Sequence, residues 1–262
     1  MIIKLDEKRK KMTQREMFYE GTEKSYYFVS GENAETQSLV LNFKDDLVLN
    51  ASKKQSVIAG KGIFNNRISG KIHEILQEFG FPSYYIKTMN MREQLLSYVD
   101  IIPLKMRVRH IASQSFSKDF GMEAGRRFFK PLVDFLFEVD DEEVMVSEGY
   151  LQQMLGLVRP DIELLSQFAI RMSEFLSGYF LGIGLRLIDI KFRFGRTIDE
   201  EGDVYYLLCS TLTPDSFTVW DYNTNENFSR ERFLSKSKSP EKIYYEVAKR
   251  MGVVTDQLDG VL

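Results

Sequence analysis

The sequence predicts an α+β fold, and three observations carry the prediction. Short apolar runs alternate with Gly- and Asn-bearing turns between residues 16 and 48, as in an antiparallel meander. A broad apolar stripe at helical spacing fills residues 161 to 184. Apolar and charged residues then alternate from Leu185, the pattern of a half-buried strand.

A chain of 262 residues holds one large domain or two small ones. With 44% hydrophobic and 28% charged residues it has material for a substantial core. The net charge of -3 gives no electrostatic case for a nucleic-acid partner. No run reaches the roughly 18 apolar residues of a membrane span, and MIIKLDEKRKKM is not a secretory leader. Residues 1–15, with the basic cluster Lys8 to Lys11, read as an N-terminal tail. Cys209 is the single cysteine, which rules out an internal disulfide and suits a reducing, cytoplasmic setting.

The elements follow in order. Phe18 and Tyr19 lead into a turn at Glu20-Gly21, Tyr26 to Val29 form a strand, and Leu39 to Phe43 form the next. Gly60 and Gly62 flank Lys61 just before a helix carrying Ile68, Ile72, Ile75, Leu76 and Phe79. Backbone N–H groups and a lysine at a helix start can hold an anion; a surface turn is the plainer reading. Gly80 ends that helix. Val99 to Pro103 and Met106 to Ile111 are strand-like, with Pro103 expected as a hinge between lobes. Residues 126 to 137 alternate into another strand. The helix at 161–184 carries Leu164, Leu165, Phe168, Ile170, Met172, Phe175, Leu176, Tyr179 and Phe180 and ends at Gly182 and Gly184. From Leu185 the alternation sets Asp189, Lys191 and Arg193 on one strand face. A hairpin return through Val204 to Leu208 brings that face beside Ser210, Thr211, Thr213 and Asp215, either as a polar site or as a solvated face. A turn at Asn223 to Asn227 and an amphipathic helix from Pro240 close the chain. His73 and His110 have no neighbours at metal-ligand spacing, so neither a zinc site nor a Cys/His nucleophile pair is expected.

Several of these stretches resemble one family. DIKFRFG followed by LCSTLTPDSFTVWD resembles the DFK-x-EFG and ADE-x-SPDS-x-R-x-WD segments of SAICAR synthetases. These enzymes use ATP to join a carboxylated aminoimidazole ribotide to aspartate in purine synthesis. FYEGTEKSYYF, GKGIFNNRIS, NMREQLL, VDIIPLKMRVRHIASQSFSKDFG and VDFLFEVDDEEVMVSEGY follow in the family's order, and FLSGYFLGIGLRLIDIK is close to its alphaproteobacterial branch.

The resemblance implies a two-lobed fold. An antiparallel N-terminal lobe of kinase or ATP-grasp type would cover residues 16–103, and a larger mixed α/β lobe residues 104–262. It implies ATP and Mg2+ as cofactors. Lys24 and Lys61 fall on nucleotide-side positions, and Arg109, Ser115 and Asp215 on substrate-side positions. Asp189 and Lys191 are retained from the strand motif, and Asn65, Asn66, Lys118 and Arg232 are retained as well.

Other motif positions differ. The metal-side carboxylates of the family correspond to Arg193, Ser210 and Thr211, and a phosphate-binding arginine to Thr218. Thr22 stands for a lysine, Lys105 for a glutamate, His110 for an asparagine, Gln114 for a glycine, Asp119 for an arginine and Glu138 for a lysine. An arginine cannot coordinate magnesium, and serine and threonine bring no negative charge, so no metal ligand is expected at these three positions. Arg193 is expected to pair with Glu138 or Asp119 instead. Two functional readings follow. In one, the chain is a divergent paralogue whose ligase activity is impaired or lost, acting by binding, as a homo-oligomer or in a hetero-oligomer with a catalytic copy. In the other it is an active ligase on the family's substrates or a related one.

Overall fold

The computed structural model describes residues 15–29, 37–49, 54–139, 142–198, 201–230 and 241–254. The expected basic cluster at Lys8, the acidic residues Asp140, Asp199 and Glu200, and Arg232 and Pro240 lie outside them. The chain opens with β1 (Arg15–Glu20), β2 (Lys24–Val29) and β3 (Ser38–Phe43), then a small hairpin of β4 (Asp46–Leu49) and β5 (Lys54–Val57). The helix α1 (Lys61–Glu78) leads to β6 (Tyr85–Thr88) and β7 (Glu93–Ser97). β1, β2, β3, β7 and β6 form one antiparallel sheet in that order.

The second sheet is built from β8 (Asp100–Ile111), β9 (Arg127–Val139), β10 (Glu142–Val146), β11 (Leu185–Ile198), β12 (Val204–Leu208) and β13 (Phe217–Asp221). Its order is β10-β9-β8-β11-β12, and β13 also pairs with β11. Three helices connect these strands: α2 (Gln114–Phe120), α3 (Glu148–Leu155) and α4 (Arg159–Gly182). α5 (Glu241–Arg250) follows the last strand. The architecture is α+β with antiparallel sheets, as the sequence predicts. Among the described residues no helix is long and apolar enough to cross a membrane.

Pro103, expected to mark a hinge between lobes, stands within a strand. It lies inside the twelve residues of β8, where the register against β11 shifts between Arg193 and Gly195. A proline has no N–H to give the ladder and is tolerated where pairing is already irregular. The passage between sheets falls earlier, between Ser97 of β7 and Asp100 of β8.

α4 packs its stripe on the second sheet. Ile162, Leu165, Ala169, Met172, Leu176 and Phe180 are buried at steps of three and four, and the Phe180 ring meets Phe217 of β13 at 5.2 Å. Leu164, read from sequence as part of the stripe, is exposed. The partner face on β11 changes parity: Leu185 and Leu187 join this core, then Ile190, Phe192 and Phe194. The cause is a register shift between Leu187 and Asp189. It moves Ile188 out of the main core to pack with Ile111 and Trp220. Beyond the shift, Asp189, Lys191 and Arg193 share the opposite, polar face.

The two sheets are joined where β12 ends. Tyr84 donates to the Leu208 carbonyl at 3.0 Å and Leu208 to the Pro82 carbonyl at 3.0 Å. Leu207 and Cys209 pack with Leu39, Leu41, Phe43 and Leu96 of the first sheet and with Tyr84 just before β6. His73 holds the Ser210 carbonyl at 2.8 Å. The segment after Leu208 is thereby pinned between the sheets, and α5 closes over α1, with Tyr245 and Phe64 ring centroids 5.9 Å apart.

Candidate functional site

The loop between β12 and β13 folds on its own polar atoms. Ser216 N–H donates to the Thr213 carbonyl at 2.7 Å, Thr213 N–H to Ser216 Oγ at 3.0 Å, and Asp215 N–H to Thr213 Oγ1 at 3.3 Å. This presents the Asp215 carboxylate to the first turns of α1 and to α5. There Lys61 Nζ lies 3.0 Å from Asp215 Oδ2, Asn65 Nδ2 donates to the same oxygen at 2.8 Å, and the Tyr244 hydroxyl donates to Oδ1 at 2.5 Å. Burial opposes the charge on Asp215. The Lys61 ammonium, the Tyr244 hydroxyl and Arg230 overcome that cost, so its pKa lies below the ordinary carboxylate value. Burial together with Asp215 pushes the Tyr244 phenol well above its usual value.

Lys24, the first residue of β2, reaches the same loop and donates to Thr211 Oγ1. Burial lowers its pKa to about 8, against the pull of Asp215 and Glu23 and with the push of Lys61 and Arg193. Glu23 lies 3.8 Å from Lys61 and 3.1 Å from Arg230. Lys24, Lys61, Asn65, Thr211 and Asp215 therefore meet in one polar cluster.

The start of α1 already holds an anion. Asp45 accepts from Gly62 N–H at 2.8 Å and Gly60 N–H at 3.4 Å, and Arg92 clamps it with two bonds of 2.8 Å. Burial resists its ionisation, and Arg92 with these N–H groups overcomes it, holding its pKa low. The helix terminus, which from sequence could hold an anion or be a plain surface turn, binds a carboxylate of the chain itself.

The polar face of the second sheet adjoins this cluster where the Arg193 backbone meets Ser210. Strand pairing sets Asp189 opposite Arg109, Lys191 opposite Arg107 and Arg193 opposite Lys105. The next strands complete a charged ladder. Arg193 meets Glu138 at 2.5 Å, Lys105 meets Glu138 and Glu143 at 3.0 Å each, and Lys191 meets Glu143 at 2.6 Å. Of the two expected partners of Arg193, Glu138 is the one found. Burial works against the charge on Glu143, yet Lys191 and Lys105 bring its pKa down to about 2.

Further along this face Asp134 takes Arg109 at 2.7 Å and Arg107 at 2.9 Å. Asp189 lies 3.9 Å from Arg109, and burial raises its pKa in spite of Arg109, Arg107 and Lys191. The Arg109 guanidinium sits 5.2 Å from the Phe116 ring of α2. Ser115, exposed on the same short helix, pairs with Ser113 Oγ at 3.0 Å.

Arg193, Ser210 and Thr211 do not fit a magnesium ion. Ser210 Oγ accepts from the Arg193 backbone N–H at 2.5 Å, and Thr211 Oγ1 accepts from Lys24. Arg193 brings a positive charge, and the nearby Glu138 and Glu143 are matched to lysine and arginine. Among the described residues no three His, Cys, Asp or Glu side chains converge to hold a metal. Hard divalent cations need converging oxygen ligands, mostly anionic.

The expected polar run lies beside the strand face as the alternation implies, though not through one hairpin. β12 pairs only with Phe194 to Ile198, and β13 takes over the same edge at Ile190. His73 and Cys209 are structural: burial lowers the His73 pKa to about 4 and pushes the Cys209 thiol up to about 12. His110 is buried on β8. Asp134, Glu23 and Tyr244 join the site without having been singled out from sequence. Asp134 left a signal as the lone charge in LVDFLF. Tyr244 read as an apolar position of an amphipathic helix, which its ring is and its hydroxyl is not.

The SAICAR synthetase family model matches residues 17–251. The phosphoribosylaminoimidazole-succinocarboxamide synthase of Rhodospirillum centenum is 37% identical over 250 residues, covering 95% of this chain and 96% of that protein. The Bartonella henselae enzyme of the same name is 38% identical over 246 residues, 94% of this chain and 95% of that one. The crystal structure of the Ehrlichia chaffeensis synthase superposes with a TM-score of 0.83 at 30% identity, covering 92% of this chain and 100% of that one. A SAICAR synthetase in complex with ADP gives 0.78 at 26%, covering 90% and 97%. With motifs, fold and near full-length similarity in agreement, the chain belongs to the SAICAR synthetase family.

Proposed function

We propose that the chain is an ATP-dependent ligase of purine biosynthesis that joins the carboxylate of a carboxylated aminoimidazole ribotide, or of a closely related acid, to the amine of aspartate. One observation carries the reading: Lys24 and Lys61 converge on the Asp215 loop, between the sheets and beside the charged face of β11. In this reading residues 16–103 supply the nucleotide side and residues 104–262 the substrate side. Lys24 and Lys61 face the ATP phosphates. Arg109, Ser115 and Lys191 face the anionic groups of the ribotide and aspartate. Asp215, anchored by Asn65 and Tyr244, positions Lys61. A γ-phosphoryl group transferred to the carboxylate leaves ADP and an acyl phosphate, and amine attack then forms the amide and releases phosphate. The setting we propose is the cytoplasm.

The test is direct. Purified chain with ATP, the ribotide and aspartate is expected to form ADP and the succinocarboxamide product together. ADP without product, or neither, overturns the ligase reading.

A second reading rests on the charges at Arg193, Ser210 and Thr211. In it the chain is a binding paralogue with impaired ligase activity, acting as a homo-oligomer or alongside a catalytic copy. Rescue of a purine auxotroph lacking the ordinary synthase excludes this reading. Failure to rescue, with ATP still stabilising the fold, supports it.

A further inference from the structure

We propose that the nucleotide cleft of this chain binds a polyphosphate without a divalent cation, with Lys24, Lys61 and Arg193 supplying the neutralising charge. The inference rests on the nucleotide-binding part of the proposed function and goes beyond it. It replaces a metal-bridged phosphate site by one in which side-chain cations do the bridging.

The geometry carries the proposal. Ser210 and Thr211 are adjacent in the chain. Ser210 Oγ takes the Arg193 backbone N–H at 2.5 Å, and Thr211 Oγ1 takes the Lys24 ammonium. This two-residue step therefore fixes β11 at Arg193 next to the lysine that begins β2. Lys61 is the third cation, brought to the same loop by Asp215 at 3.0 Å. The proximity is also electrical: burial lowers the Lys24 pKa to about 8, and the Arg193 charge adds to that fall. A metal at Ser210 and Thr211 would find two neutral hydroxyls, both already engaged, and three positive neighbours. The same surroundings favour a phosphate, whose oxygens accept from ammonium groups and, in pairs, from a guanidinium.

Arg193 is also available. Its partner Glu138 holds it at 2.5 Å, but the two side chains are 39% and 41% exposed, a pair that solvent weakens and a phosphate can displace. Lys105, 3.0 Å from Glu138, then keeps that carboxylate paired when Arg193 turns to the ligand. Glu138 thus competes with the ligand for Arg193, and a substitution there has a sign that a merely structural role does not produce.

The experiment follows thermal unfolding of the full chain with ATP, ADP or inorganic tripolyphosphate, in EDTA and in excess MgCl2. ATP and tripolyphosphate are expected to raise the midpoint in EDTA at least as far as in magnesium, because magnesium in excess consumes the free anion. Arg193→Gln is expected to weaken tripolyphosphate binding in EDTA about tenfold, the usual scale for one charged hydrogen bond. Glu138→Gln is expected to strengthen it severalfold. Stabilisation that appears only with magnesium overturns this inference and leaves nucleotide binding standing. No stabilisation by any of the three anions in either buffer overturns both. A Glu138→Gln protein that folds and binds no more tightly overturns the competitive role of Glu138.

Discussion

Lys61 and Asp215 meet at 3.0 Å although they start from different halves of the fold, the one opening α1 and the other at the tip of the β12–β13 loop. Both are deeply buried, with side-chain exposures of 1% and 6%. Two charges removed from water survive only because each meets the other and because Asn65 and Tyr244 satisfy the remaining carboxylate lone pairs. Removing one member leaves the other buried and uncompensated. Lys61→Met is therefore expected to cost about 3–5 kcal/mol. Asp215→Asn, which keeps its shape and part of its hydrogen bonding, is expected to cost less. Urea midpoints at unchanged slope check both values, and a loss below about 1 kcal/mol for Lys61→Met would show that water already reaches the pair.

Glu143 sets an acid limit. Its pKa of about 2 in the fold lies below its ordinary value of 4.5 because Lys191 and Lys105 outweigh burial. A depressed carboxylate stabilises the fold fully above its unfolded value, and that stability is lost as pH falls through the folded value. The loss is thus expected between about pH 4.5 and pH 2. Discounted for the partial exposure of the group, it amounts to about 1–2 kcal/mol. Glu143→Gln should flatten this limb of the stability profile and leave the profile above pH 6 parallel to wild type. An unchanged acid limb would assign it to other carboxylates.

Lys24 gives the opposite limit. Burial has brought its pKa from 10.5 to about 8, so the charged form is held at a cost at neutral pH. The unfolded chain binds the extra proton between pH 8 and 10.5, and this group's contribution to stability rises with pH across that window. Anion binding should run the other way, weakening as Lys24 loses its proton above about pH 8. In EDTA, tripolyphosphate affinity is expected to fall several-fold between pH 7.5 and 9.5 in wild type. In Lys24→Met the affinity should be low and flat across that range. A parallel fall in the variant would place the titration elsewhere.

What the sequence revealed and concealed follows from distance along the chain. Alternation over Leu185 to Phe194 put Asp189, Lys191 and Arg193 on one face because a strand's period is local. The stripe from Ile162 to Phe180 made α4 legible for the same reason. The parity change shows in sequence only as the adjacent apolar pair Leu187-Ile188, because the bulge itself depends on the partner strand. Charge reversals at motif positions narrowed the partner of Arg193 to Glu138 or Asp119, and the fold selects Glu138. The meetings of Lys61 with Asp215 and of Asp45 with the α1 terminus join residues far apart in sequence, and no local pattern announces them. Pro103 reads from sequence as a breaker, yet it stands within β8 beside a register shift.

The motif GKG shows the difference between a correct residue and an incomplete reason. Sequence reading takes its glycines as freeing backbone N–H groups for an anion. Gly60 does adopt a left-handed conformation, with φ 78°, as the residue before α1. Gly62 lies inside the helix, where alanine ordinarily gains up to about 1 kcal/mol. Here a Cβ would stand 2.5 Å from the Phe43 carbonyl oxygen and 2.5 Å from an Arg92 nitrogen. Arg92 can move, but the carbonyl belongs to β3 and accepts from Arg92 itself at 3.4 Å. Yielding would also disturb the clamp on Asp45, because the same guanidinium makes both contacts. The clash outweighs the helical preference, and Gly62→Ala is expected to destabilise the protein by about 1–3 kcal/mol. Gly178, which has open space around its missing Cβ on α4, serves as the control, and Gly178→Ala is expected to be neutral or mildly stabilising. Chemical denaturation of the two variants side by side decides it: equal midpoints would mean that β3 shifts freely and that Gly62 is not required by close approach.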